Sequence, residues 1–125
     1  MSADPYSARV RNLFASTAHA GTIDGGISAR VGDQGVQVEL WASADGDRVK
    51  SLKYRVWGCP HLIAAAEAFC TGYQGQRVAH FKDFSAAGLM QTLAVPVEKT
   101  GRILVLEDAV RSLGAAIRSA SSPQP

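Results

Sequence analysis

Polar and apolar positions alternate in two neighbouring stretches of the chain. Val36, Val38 and Leu40 alternate with Gln37, Glu39 and Trp41, and Leu52, Tyr54 and Val56 alternate with Lys53, Arg55 and Trp57. A period of two sends successive side chains to opposite faces of a pleated strand, so each stretch reads as a strand with one buried face and one partly wet face. Asp45-Gly46 between them is a hairpin signal. A weakly patterned strand around Ile27 to Val31 completes a small antiparallel meander. Elsewhere the apolar period lengthens to that of a helix. Tyr6, Val10, Leu13 and Phe14 share one stripe behind Asp4 as N-cap and Pro5 at the first helical position, which predicts a short first helix ending near Thr17. Gly21, Gly25 and Gly26 mark a loop after it. Leu62, Ala66, Phe69 and Tyr73 predict a second helix stopped by Gly72 or Gly75. Ser85 to Leu93 predicts a third, capped by Ser85 and ended before Pro96. Ile103, Leu106, Val110, Leu113 and Ile117 predict a last helix of about 18 residues.

Strands that precede helices, rather than alternating with them, indicate an α+β chain: a small antiparallel three-stranded sheet packed on one face by helices. At 125 residues the chain is one domain, residues 1–120, with a frayed tail over 121–125. A hydrophobic fraction of 46% and a charged fraction of 19% fit a globular core and exclude disorder. A formal charge of +2 is too small to mark a nucleic-acid or membrane binder. Arg48, Lys50, Lys53 and Arg55 line one hairpin strand, which reads as a solvated sheet face. The first residues lack the basic and apolar regions of a signal peptide, and the longest apolar stretch, 62–69, is interrupted by Glu67 and falls short of the roughly 18 residues of a membrane helix. The expectation is a cytoplasmic protein with reduced thiols.

The chemistry concentrates in Trp57-Gly58-Cys59-Pro60-His61, which joins the last strand to a helix. Pro60 suits the first helical position and makes Cys59 the cap. A thiol there faces unpaired backbone N–H groups and the positive end of the helix dipole, and both favour the thiolate. Gly58 lets the chain turn and leaves the sulfur approachable. The plainer reading of Cys59 is a small buried residue. Cys70 lies eleven residues on, about 16 Å along the helix axis, so it shares neither a metal nor a disulfide with Cys59 and reads as core. His61 points to another side of a regular helix and joins Cys59 only through a distorted first turn. His19 and His80 show no ligand spacing and read as surface or partly buried residues. The CxxC, HExxH, P-loop and GxSxG signatures are absent, and no base is visibly placed beside Cys59, so the chain is not expected to be an enzyme.

The order of Tyr6-Ser7, Gly32-Asp33, Trp57-Gly58-Cys59, Gly72 to Gly75, and Ile103-Leu104 with Glu107-Asp108-Ala109 resembles the IscU/NifU-type iron–sulfur cluster assembly scaffolds, from Tyr6 to Ala120. The resemblance implies the family's sandwich fold and a site of three cysteines and an aspartate, often with a histidine, that holds an iron–sulfur cluster or a zinc ion. Asp33 and Cys59 match the family aspartate and second cysteine, and Lys99 matches a family lysine. Val31 stands where the first cysteine belongs, and Gly101 and Arg102 stand where the histidine and third cysteine belong. The chaperone-recognition stretch survives in part as Ala94-Val95-Pro96-Val97-Glu98-Lys99.

Clusters are normally held by four ligands, mostly thiolates. Placed by the resemblance near the vacant ligand site, Arg102 would disfavour a cation and instead stabilise a Cys59 thiolate or persulfide. Three readings follow from the resemblance. The first is a divergent scaffold binding iron, zinc or a cluster through Cys59, Asp33 and His61, with Lys99 and Arg102 accessory and two chains pooling ligands in a homodimer. The second is a metal-free persulfide acceptor or adaptor for a cysteine desulfurase. The third is an interaction module that retains desulfurase or Hsp70-type chaperone binding after the ligands have drifted.

Overall fold

The computed structural model describes residues 7–15 and 17–121. Helix α1 spans Ala8–Ala15, strands β1 Ile27–Asp33, β2 Val36–Asp45 and β3 Arg48–Trp57, and helices α2 Pro60–Tyr73, α3 Ala86–Leu93 and α4 Thr100–Ser121. Two 3-10 turns, Val78–Asp83 and Val97–Lys99, lead into α3 and α4. The sheet order is β1-β2-β3, antiparallel throughout, which is the expected α+β meander.

Burial follows the alternation read from the sequence. Val36, Val38, Leu40 and Ala42 of β2 and Val49, Leu52 and Tyr54 of β3 are buried, while Gln37, Glu39, Trp41, Lys53, Arg55 and Trp57 lie on the other face. Removing that apolar surface from water drives the helices onto one side of the sheet. Helix α4 lies across β1 and β2, α2 lies against β3, α1 packs on α2, and α3 packs on α4. Ile103, Leu106, Val110, Leu113 and Ile117, the expected stripe of α4, are all fully buried.

Several element bounds differ from expectation. The first helix is capped by Ser7, whose hydroxyl accepts from the Val10 N–H at 3.2 Å and donates to the Leu93 carbonyl at 3.0 Å. Asp4, Pro5 and Tyr6, expected to start this helix, lie outside the described residues. Strand β1 runs on to Asp33, because the Gln34-Gly35 turn (φ 54° and 75°) folds it straight into β2. Helix α4 is longer than expected, at 22 residues. It starts at Thr100, which brings Gly101 and Arg102 into its first turn, and it still includes Ser121; residues 122–125 lie outside the described part.

The 3-10 turn over 78–83 has no helical stripe in the sequence. It forms because Phe81 and Phe84 close an aromatic cluster with Phe69 and Tyr73, with ring centroids 5.2 to 6.1 Å apart. Ser85 caps α3 as expected, accepting from the Gly88 N–H.

Candidate functional site

One end of the sheet gathers the β1–β2 turn, the β3–α2 junction and the first turn of α4. Cys59 is the N-cap of α2 in extended backbone (φ −90°, ψ 165°), with Pro60 at the first helical position. Its carbonyl accepts from Leu62 N at 3.0 Å and Ile63 N at 3.2 Å, which starts the helix. Gly58 serves space here and not an unusual φ. A Cβ on it would lie 2.9 Å from Leu62 Cδ2 and 3.1 Å from Val36 Cγ1, so any larger residue would force these core side chains to give way.

Cys59 is half-buried and free. Burial pushes its thiol up, but the Leu62 N–H, a hydrogen bond from the Arg102 side chain, the His61 N–H and the Arg102 charge together outweigh it. The thiol titrates below its ordinary range. The α2 amides and the Arg102 guanidinium thus act on the sulfur together, the Leu62 N–H foremost. Cys70 is the opposite case. It is fully buried, and burial first, then Glu67, drives its thiol pKa far up, with Lys53 opposing only in part.

Asp33 is exposed at the end of β1, where its Oδ1 accepts from the Gln34 N–H at 2.8 Å and so shapes the hairpin turn. The Gln34 side chain then reaches α4: a Cβ on Gly101 would sit 3.0 Å from Gln34 Oε1. The place the resemblance assigns to a histidine is thus covered by Gln34.

His61, expected as a possible ligand, is only 2% exposed. Burial lowers its imidazole pKa, Lys99 lowers it further and Glu98 opposes them, so the ring is neutral at physiological pH. Lys99 and Glu98, on the 3-10 turn before α4, act on His61. Among the described residues no three His, Cys, Asp or Glu side chains come together to hold a metal ion. The set Cys59, Asp33 and His61 therefore does not assemble a metal site within one chain. Asp33 is engaged in its turn, His61 is sealed in packing, and a cation stands beside Cys59. The donors present do not fit an iron–sulfur cluster, iron or zinc.

A second polar cluster was not singled out in the sequence. The Glu67 carboxylate, 3% exposed, accepts from the His19 backbone N–H at 3.0 Å, from Tyr54 OH at 3.1 Å and from Thr71 Oγ1 at 3.4 Å, and it pairs with His19 Nδ1. Burial, with Glu67 next, raises the Tyr54 phenol pKa. Backbone bonds from Tyr54 N to His19 O and from Gly21 N to Tyr54 O complete the tie. Glu67 thereby pins the loop after α1 to the free edge of β3. Its only sequence signal is an acid inside an otherwise apolar helical run.

No protein-family model and no curated protein sequence matches the chain. Solved structures do. A protein described as an iron–sulfur cluster assembly scaffold for the SUF system, from the thermophile Fervidobacterium islandicum, aligns with a TM-score of 0.73 at 14% identity, over 90% of this chain and 96% of that one. The N-terminal part of a nitrogen-fixing NifU-like protein from Brucella abortus aligns with a TM-score of 0.57 at 12% identity, over 92% and 84%. A hypothetical protein gives 0.52 at 15% identity, over 90% of each chain. The chain shares the fold of these proteins. No helix among the described residues is long and apolar enough to cross a membrane.

Proposed function

We propose that this chain serves iron–sulfur cluster assembly as a sulfur acceptor, with Cys59 taking persulfide sulfur from a cysteine desulfurase and no metal taking part. The observation that carries this reading is Cys59, half-buried at the N-cap of α2, where the Leu62 N–H and Arg102 lower its thiol pKa; Arg102 holds a position where the resembling family has a metal-binding cysteine. A guanidinium repels a metal cation and favours an anionic sulfur.

In the transfer, the Cys59 thiolate attacks the outer sulfur of the donor's cysteine persulfide. The donor's S–S bond breaks, its own cysteine leaves as a thiolate, and a new S–S bond forms on Cys59. Sulfur moves with no net oxidation, so no further reductant is needed. The product persulfide is again an anion, and Arg102 and the α2 amides stabilise it as they do the thiolate. In this role the chain holds and passes on a group and is not an enzyme. A scaffold that shares Cys59 and Asp33 across a homodimer is less favoured, because Arg102 would set its positive charge against the metal cation. Interaction with an Hsp70-type chaperone through 94–99 draws support from Val97, which is 80% exposed on that stretch.

The test is mass spectrometry after incubation with desulfurase and cysteine. The wild type should gain about 32 Da, one sulfur atom, on Cys59, and Cys59→Ser should gain nothing. A bare Cys59, beside an authentic scaffold that is loaded in the same mixture, rejects the reading.

A further inference from the structure

The sheet face turned away from the helices carries an ordered set of tryptophans and cations. The register aligns Gly32, Gln37 and Trp57 in one row, Arg30, Glu39 and Arg55 in the next, and Ser28, Trp41 and Lys53 in the third. These side chains hold one another in place. Trp41 Nε1 donates to Glu39 Oε1 at 2.7 Å, Arg55 lies 3.9 Å from the same carboxylate, and the Arg55 guanidinium stacks 4.9 Å over the Trp57 ring. Arg30 donates to the Gln37 amide oxygen at 2.7 and 2.9 Å. Trp57 is nevertheless 44% exposed, a large apolar surface left in water on a strand whose other face is core.

The charges on this face are unequal. Arg30, Lys53 and Arg55 stand against Glu39 alone, and Glu39 is already engaged by Arg55 and Trp41. Trp and Arg are enriched among the residues that dominate protein interfaces, and side chains already held by neighbours lose less rotamer entropy when covered. A nucleic-acid platform would need free aromatic faces for the bases. Here Arg55 occupies the Trp57 ring, and Glu39 sits among the cations, where it repels phosphate. The face also ends at the candidate site, because Trp57 is followed directly by Gly58 and Cys59.

We infer that this sheet face, centred on Arg55 and Trp57 with Arg30 and Lys53 beside them, docks an acidic surface of the protein that delivers sulfur to Cys59. The inference rests on the sulfur-acceptor reading for the identity of the partner. Its basis is charge complementarity and continuity with the Cys59 junction.

The experiment measures binding of purified cysteine desulfurase from the same organism to full-length wild type, Trp57→Ala and the triple variant Arg30→Glu/Lys53→Glu/Arg55→Glu. Arg111→Glu, on the exposed side of α4, is the control, and thermal melting verifies folding of each. The expected result is binding weakened at least about tenfold in both sheet variants and unchanged in the control. Wild-type affinity should also fall as salt rises from about 50 to about 500 mM, where screening shortens to a few ångströms. Equal affinity for all four proteins overturns the inference, as does tight binding of a labelled single-stranded oligonucleotide that the triple variant loses. Failures of the two proposals are separable. A desulfurase that binds through this face yet leaves Cys59 bare rejects the sulfur role and keeps the docking surface. Full sulfur loading of the triple variant at limiting desulfurase rejects the docking surface and keeps the sulfur role.

Discussion

Two cysteines of one helix behave in opposite ways because of where that helix places them. Cys59 stands before the first turn, with amides and a guanidinium around its sulfur; Cys70, three turns further, has only packed side chains and a nearby carboxylate. Iodoacetamide at neutral pH followed by peptide mapping should label Cys59 and leave Cys70 unlabelled until the chain is unfolded. Equal labelling of both in the folded protein contradicts this assignment. The Cys59 cap was legible in the sequence because Pro60 fixes the helix start, and Cys70 was legible as core from its place among Ala66, Phe69 and Tyr73. The fate of His61 was not legible. Its electrostatic setting includes Lys99 and Glu98 of the turn at 97–99, nearly forty residues away in sequence. The turn role of Asp33 was not legible either, because it depends on the positive φ of Gln34.

Among the elements, the loop after α1 is held by one carboxylate. Glu67 gathers His19, Tyr54 and Thr71 in a nearly dry setting, so Glu67→Ala strands several polar groups without partners. The cost should be about 2–4 kcal/mol, read as a lowered midpoint in chemical denaturation. A loss under about 0.5 kcal/mol would mean that water replaces the carboxylate at no penalty. The sheet and the long helix were visible from periodicity alone, since a buried face must repeat with the period of its element. The Glu67 tie, the 3-10 turn over 78–83 and the Ser7 cap were not. Each depends on a partner remote in sequence: His19 for Glu67, Phe69 for Phe81, and Leu93 for Ser7.

At the scale of the whole molecule, the fold is shared with solved structures described as iron–sulfur assembly and NifU-like proteins, while the ligand set that the resemblance implies is incomplete. If missing thiols, and not altered shape, separate this chain from a metal-binding scaffold, restoring them should restore metal. The double variant Val31→Cys/Arg102→Cys should retain about one zinc ion per chain after gel filtration, measured by elemental analysis, while the wild type retains almost none. A metal-free double variant with native melting behaviour would place the difference in the geometry of the sheet end.

The account rests on Cys59 being a reachable thiol whose pKa is lowered by the α2 amides, Leu62 N–H first, and by Arg102. In the folded protein its pKa is depressed, so the associated stability is present above the ordinary thiol value near 8.5 and is lost as pH falls through the lower folded value. The most direct measurement is the pH dependence of Cys59 alkylation in wild type and in Arg102→Met. The wild-type midpoint should lie below the ordinary thiol value, and that of the variant should rise toward or above it. Coincident midpoints, or a wild-type thiol that stays unreactive until ordinary or higher pH, would contradict the account.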